Sequence, residues 1–272
     1  MNIALVVPND TLYAPLYVKK IVSLLEGTGT HHDITICVWN PCAHKSFASL
    51  IRERFRLYGA VQFSIFCILM VLTRIGGVVS TIIPIRRPCS LRALSRECHS
   101  EYEEVNSINE KGFIALMQEK SIEVLVSIAV NEKYKAGILN AVPFALNVHS
   151  SLIPRYRGVM ALFWAHFCEE RTIGVTVHRM VEAYDSGAIL GQCEFALPSN
   201  ATLHTLYLKS IVEGSRCIAE VINAISNKSV EERNPDCTVG SYYSFPSVAE
   251  SREYRKRGKR FFAFQDLWRQ TV

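Results

Sequence analysis

Asn147-Val148-His149-Ser150-Ser151-Leu152-Ile153-Pro154-Arg155-Tyr156-Arg157-Gly158 is the stretch on which the reading of this 272-residue chain turns. Side-chain direction repeats every two residues along an extended segment, so Asn147 and His149 point the same way. Proline cannot donate to a strand ladder, so Leu152-Ile153-Pro154 halts the strand and leaves both side chains at its carboxyl end. In open α/β sheets that end borders the ligand crevice. Downstream follow the alternating Ile173-Gly174-Val175-Thr176-Val177-His178 and the turn-forming Tyr184-Asp185-Ser186-Gly187. An amide, an imidazole and a carboxylate thus stand in short motifs, in order. Taken singly, each is an ordinary turn or surface pair.

Outward from this stretch, Ile3–Val7, a helical pattern over Leu16–Leu25 and the run Ile34–Trp39 read as β-α-β. That order favours a mostly parallel central sheet with helices on both faces, a Rossmann-like α/β class. No GxGxxG or GxxxxGK[ST] follows the first strand, so a dinucleotide or P-loop reading lacks its phosphate cradle. Val105–Asn106 leads into a helix over Glu110–Lys120, then come a strand at Val124–Val130, a helix at Lys133–Asn140 and a strand at Ala145–Val148. Met160–Glu169 is helical, Ile173–Met180 and Ile189–Ala196 form a hairpin, and Leu203–Asn227 is a long helix. Residues 43–100 read as an atypical apolar and basic insertion, with a short strand at Ile82-Ile83-Pro84-Ile85. The division expected is a catalytic unit, 1–227, and a short aromatic and basic C-terminal appendage, 228–272.

Apolar residues make up 49% and charged residues 20%, which excludes a disordered chain; the net charge is +5. The nine Cys show no CxxC pair, so free thiols are expected. His31-His32, His44, His99, His166 and His204 lack partners at ligand spacing, and no metal is expected. Met1–Pro8 has no basic leader and reads as a first strand, which favours a cytoplasmic location. Tyr58–Leu72 is very apolar, but Arg74 and Gly76-Gly77 are expected to break it short of the roughly 20 residues of a membrane span. A buried helix or a homodimer contact is the favoured reading. The arginines around it, among them Arg52, Arg54, Arg56, Arg86 and Arg87, also allow a peripheral membrane contact through 52–87. A second basic and aromatic stretch, 252–262, carries six positive charges between Arg252 and Arg260. An anionic substrate or a membrane surface suits it better than nucleic acid.

The three site motifs together resemble the 10-formyltetrahydrofolate-dependent formyltransferases, which include enzymes acting on glycinamide ribonucleotide, methionyl-tRNA and amino sugars. That pattern is Asn-x-His, a Ser-Leu-Leu-Pro-x-Tyr-Arg-Gly-like loop and a later Asp-Ser/Thr-Gly. The resemblance is specific over roughly 120–192; the Ser150-Ser151 pair departs from it but keeps a small residue. It implies a Rossmann-like formyltransferase fold and 10-formyltetrahydrofolate as co-substrate. It also implies catalysis by Asn147 as oxyanion donor, His149 as proton carrier and Asp185 as its support. An amide donor and an imidazole suit a tetrahedral intermediate that must lose a proton; whether His149 works neutral or charged stays open. By analogy, Val126, Ile128, Ala129, Val130, Val181, Tyr184 and Gly187 border the folate. Ser151, Arg155, Tyr156 and Arg157 face the acceptor, a small-molecule primary amine. Some 45 residues after the long helix are too few for the C-terminal barrel of the tRNA enzymes. The layout therefore favours a nucleotide-linked amino sugar. The alternatives are a tRNA or glycinamide ribonucleotide acceptor, hydrolysis of the formyl donor, and a folate-binding scaffold without activity.

Overall fold

The central strands at Asn2–Pro8 and Val124–Ile128 are almost wholly apolar, because both of their faces are covered. The computed structural model describes residues 1–40, 47–80, 82, 87–198 and 200–268. Five strands run parallel: β1 (Asn2–Pro8), β2 (Asp33–Trp39), β3 (Glu101–Val105), β4 (Val124–Ile128) and β5 (Phe144–His149). A two-residue strand, β6 (Arg157–Gly158), precedes β7 (Thr172–Arg179) and β8 (Ile189–Ala196), which are antiparallel to their neighbours. Among the described residues the main sheet has seven strands in the order β3-β2-β1-β4-β5-β7-β8. The chain leaves β1 on one side and returns at β4 on the other, the switch point at which a crevice opens beyond the carboxyl ends.

In β1, Ile3, Leu5 and Val7 enter one core while Ala4 and Val6 enter the other. Period-two alternation with both faces apolar is what a central parallel strand needs. The first core is closed by α1 (Ala14–Glu26) and α8 (Leu203–Ser226), the second by α5 (Lys111–Glu119) and the short α6 (Ala136–Leu139). α7 (Ala161–Phe167) follows the loop after β5. Gly214 lets α8 meet α1 closely, since a Cβ there would fall 1.8 Å from the Tyr17 hydroxyl.

Residues 47–97 carry α2 (Phe47–Tyr58), α3 (Ala60–Val79) and α4 (Leu91–Glu97), which join β2 to β3. The strand β3, absent from the sequence reading, is masked there by Glu101, Glu103 and Glu104. It is an edge strand, where charge is tolerated, and Lys120 pairs with both Glu101 and Glu103. The expected strand at Ile82-Ile83-Pro84-Ile85 lies outside the described residues, except Ile82, which sits in a turn. Two expectations for the apolar stretch are corrected. Gly76-Gly77 does not end the helix, which runs 20 residues, and the helix is not buried: only Ile65, Leu69 and Thr73 are. The surrounding apolar turns outweigh roughly 1 kcal/mol of helix propensity per glycine.

Beyond α8 the chain returns to the core. β9 (Tyr242–Tyr243) pairs in parallel with β6, α9 (Val248–Lys256) packs against α2, and a 3-10 turn at Phe264–Leu267 meets α3. Tyr254 and Phe261 are fully buried in the first core, their rings within 5.7 Å of Phe163.

Candidate active site

Asn147 and His149 stand at the carboxyl end of β5, opposite His178 and Thr176 of β7. The strand stops because the next residues fold into a tight loop containing a cis Ile153–Pro154 bond. Inside that loop the Ser151 hydroxyl donates to the Arg155 carbonyl, and Thr176 donates to the Ser151 carbonyl. Asp185 arrives from the β7–β8 connection with φ +47°. Ala129, Tyr156 and Met160, also on segments beside the site, have φ of +55°, +55° and +57°. Such left-handed non-glycine backbone costs on the order of 1–3 kcal/mol each and concentrates where a site is built.

Geometry fixes the roles of the polar atoms. The His149 Nε2 lies 2.9 Å from the Tyr156 carbonyl, which can only accept, so Nε2 carries the proton and Nδ1 the lone pair. That lone pair faces Asp185 Oδ1 at 3.7 Å. The His178 Nδ1 donates to the Arg179 carbonyl at 2.8 Å, which leaves its Nε2 to accept from Asn147 Nδ2 at 3.2 Å. The same Nδ2 reaches Asp185 Oδ1 at 3.4 Å. The amide of Asn147 is thereby held donor-first. The Gly158 N–H donates to Asp185 Oδ2 at 2.7 Å and ties the carboxylate to the loop.

Burial lowers the pKa of His149, and the attraction of Asp185 opposes this only in part, so the imidazole is neutral near pH 7. Burial pushes Asp185 upward, but His149, His178 and the Gly158 amide outweigh it and hold the carboxyl at about 2. A neutral base therefore sits beside a permanent anion.

Asn147, His149 and Asp185 converge, and His178 joins them. Its place at the end of an alternating run marks His178 as a packed or surface histidine; it is packed, and it also accepts from Asn147. The alternating strand places its side chain on one face, but its partner appears only once β7 is in register with β5. The other expected residues are distributed differently. The Ser151 side chain is fully buried and committed to the loop. Arg155 is exposed and paired with Glu170, which also accepts from the Tyr156 hydroxyl at 2.7 Å. Arg157 keeps a buried Nε without a partner. Val126 and Ile128 belong to the core, whereas Ala129 and Val130 reach the surface. Val181 and Tyr184 are exposed on the connection that carries Asp185, and the Tyr184 ring lies 5.9 Å from Lys133 Nζ, shortly after β4. Gly187 is closely packed, for a Cβ there would fall 2.0 Å from the Arg179 carbonyl. Among the described residues no group of three His, Cys, Asp or Glu is placed to hold a metal.

The sequence pattern described as formyl transferase matches residues 95–222. The methionyl-tRNA formyltransferase of Halothermothrix orenii is 26% identical over 160 residues, 58% of this chain and 50% of that protein. The chain thus spans about half the length of that curated relative. The backbone is similar to that of the N-formyltransferase from Helicobacter canadensis, solved in complex with folinic acid and dTDP-3-aminofucose. The TM-score is 0.57 at 16% identity, covering 93% of this chain and 79% of that one. Glycinamide ribonucleotide transformylase 1 from Symbiobacterium toebii gives 0.58 at 13% identity, covering 87% and 94%. These likenesses are of fold. The matched residues 95–222 contain Asn147, His149, His178 and Asp185, and it is over this region that the chain is similar to the formyl transferase family.

Proposed function

We propose that this chain moves a formyl group from 10-formyltetrahydrofolate to a primary amine, the acceptor being a nucleotide-linked amino sugar. The observation that carries the reading is the convergence of the Asn147 amide, the unprotonated Nδ1 of His149 and the Asp185 carboxylate at one strand end. The amine nitrogen attacks the formyl carbon, and the carbonyl oxygen becomes an oxyanion. Asn147 Nδ2 donates to that oxygen in place of its long contact with Asp185, already oriented by His178. The nitrogen loses its proton to His149 Nδ1, and the resulting imidazolium is stabilised by Asp185. Collapse of the intermediate breaks the bond to N10 of the folate, which takes the proton back from His149. The products are a formamide and tetrahydrofolate.

The folate is assigned to the crevice between the end of β4 and the 181–187 connection. The buried, unpartnered Nε of Arg157 suits an anionic part of the acceptor. A phosphate docked on the amino end of α1 does not suit this chain. The Asp10 carboxylate already accepts there from the Leu12 and Tyr13 amides at 2.6 Å. That occupancy, together with the Helicobacter canadensis likeness, favours a sugar amine whose phosphates bind elsewhere. The test follows tetrahydrofolate release with a panel of nucleotide amino sugars, amino acids and aminoacyl-tRNA. Release that depends on one amino sugar and vanishes in His149→Ala supports the reading. Equal release without any amine overturns it in favour of hydrolysis.

A further inference from the structure

The helix α3 wears its polarity inside out. Gln62 turns inward, its Oε1 accepting from the Phe261 amide at 2.6 Å, and Thr73 is buried against the Thr11 hydroxyl at 2.8 Å. Outward stand Val61 at 76% exposure and Ile68, Val71, Leu72 and Ile75 at 45–56%. Their spacing of seven, three, four and three or four residues keeps them on one face for about 21 Å of helix. A helix on a water-facing surface carries the opposite pattern. Phe55 of α2 meets Phe63 of α3 edge-on at 5.5 Å, and at the 3-10 turn that contacts α3 the rings of Phe264 and Trp268 lie 5.0 Å apart at 65% and 70% exposure. Contiguous apolar surface of this extent marks an interaction site.

Charge selects the occupant. Residues 47–80 hold four arginines, Arg52, Arg54, Arg56 and Arg74, against one carboxylate, Glu53. Against a second copy of this chain, a two-fold contact would lay that basic rim upon itself, which opposes association. Against anionic headgroups the same rim is attracted, while the helix face and the exposed indole of Trp268 enter the interfacial layer. A spanning arrangement does not fit, since Gln62, Ile65, Leu69 and Thr73 pack on the protein along the length of α3. The Leu57 carbonyl before α3 accepts from Ser251 and Arg255, and Arg87 after it donates to the Leu12 carbonyl at 2.7 Å.

We propose that the outer face of α3, with Phe55, Phe264 and Trp268, docks this protein onto an anionic lipid bilayer, α3 lying in the plane of the interface. The full chain is mixed with sedimenting vesicles of phosphatidylcholine alone or with phosphatidylglycerol, at low and high salt, beside Val71→Glu and Ile75→Glu. Both positions are more than half exposed, and thermal unfolding followed by circular dichroism checks that the variants fold as the parent does. The expected result is co-sedimentation with the anionic vesicles, weakened by salt and reduced roughly tenfold or more by either substitution. The proposal is overturned if the parent stays in the supernatant, if the substitutions leave binding unchanged, or if light scattering shows a dimer that they dissociate. Partitioning is read without turnover, so failure here leaves formyl transfer standing.

Discussion

Asn147 carries two N–H bonds whose direction is set by its neighbour His178. Asn147→Ala removes the donor, and turnover is expected to fall about 10²–10³-fold, or about 3–4 kcal/mol of barrier, with folate affinity nearly unchanged. Stopped turnover with titrated folate binding separates the two; loss of folate binding alone counts against the oxyanion role. For His149 the sign follows from burial. A pKa lowered below the usual 6.5 keeps the base unprotonated, so kcat/KM is expected to hold as pH falls to about 6.5 and to decline only below it. Asp185 raises that pKa by attraction, so Asp185→Asn moves the acid limb to lower pH while cutting the rate; an unmoved limb excludes the pairing. The neutral His149 also stabilises the fold fully above about 6.5, a contribution lost as pH drops towards its folded value. Asp185, held at about 2, contributes roughly 2 kcal/mol above the ordinary carboxyl pKa near 3.9, lost as pH falls towards 2. That Asn147, His149 and Asp185 belong together was legible because short local motifs carry them. His178 was not, because its role exists only once two strands are in register.

The loop 151–159 is held by an element that contributes no catalytic side chain. The Tyr156 amide donates to the Ser241 hydroxyl at 2.8 Å, the Arg157 amide to the Ser241 carbonyl and the Val159 amide to the Tyr243 carbonyl, both at 2.9 Å. The Tyr243 ring stacks between Tyr156 and Trp164. Gly158 sits beneath this strap with φ +95°, and a Cβ there would fall 2.1 Å from the Tyr243 carbonyl. Gly158→Ala is therefore expected to cost roughly 3 kcal/mol of stability, read from urea unfolding, and to abolish turnover by moving the amide that holds Asp185. A variant that keeps parental activity would show that the strap yields. β1, β2 and β4 were readable from their apolar runs. β3 and β9 were not: one is charged, and the other is two residues long and exists only against β6.

Hydropathy told that α3 is apolar but not which side of it would be covered, since that depends on whatever packs beside it from elsewhere in the chain. Those partners include Phe261 and Phe262 from 228–272, read from sequence as an appendage, beside Thr11 and α2. Tyr254 and Phe261 lie fully within the main core, and each truncated aromatic costs about 3–5 kcal/mol. Ending the chain after Asn227 removes both with Phe262, a loss comparable to a whole domain's 5–15 kcal/mol. That shortened chain is expected to be insoluble or to lack a cooperative melt; a soluble, cooperatively folded 1–227 would refute the account. Consider then the order in which the molecule is made. Asn147, His149 and Asp185 leave the ribosome well before Ser241 and Tyr243, and the carbonyl that directs the proton on His149 stays unbraced until those residues emerge. For that interval the growing chain holds Asn147, His149 and Asp185 without the strap that sets their geometry. The site is thus completed by the last part of the chain to be synthesised.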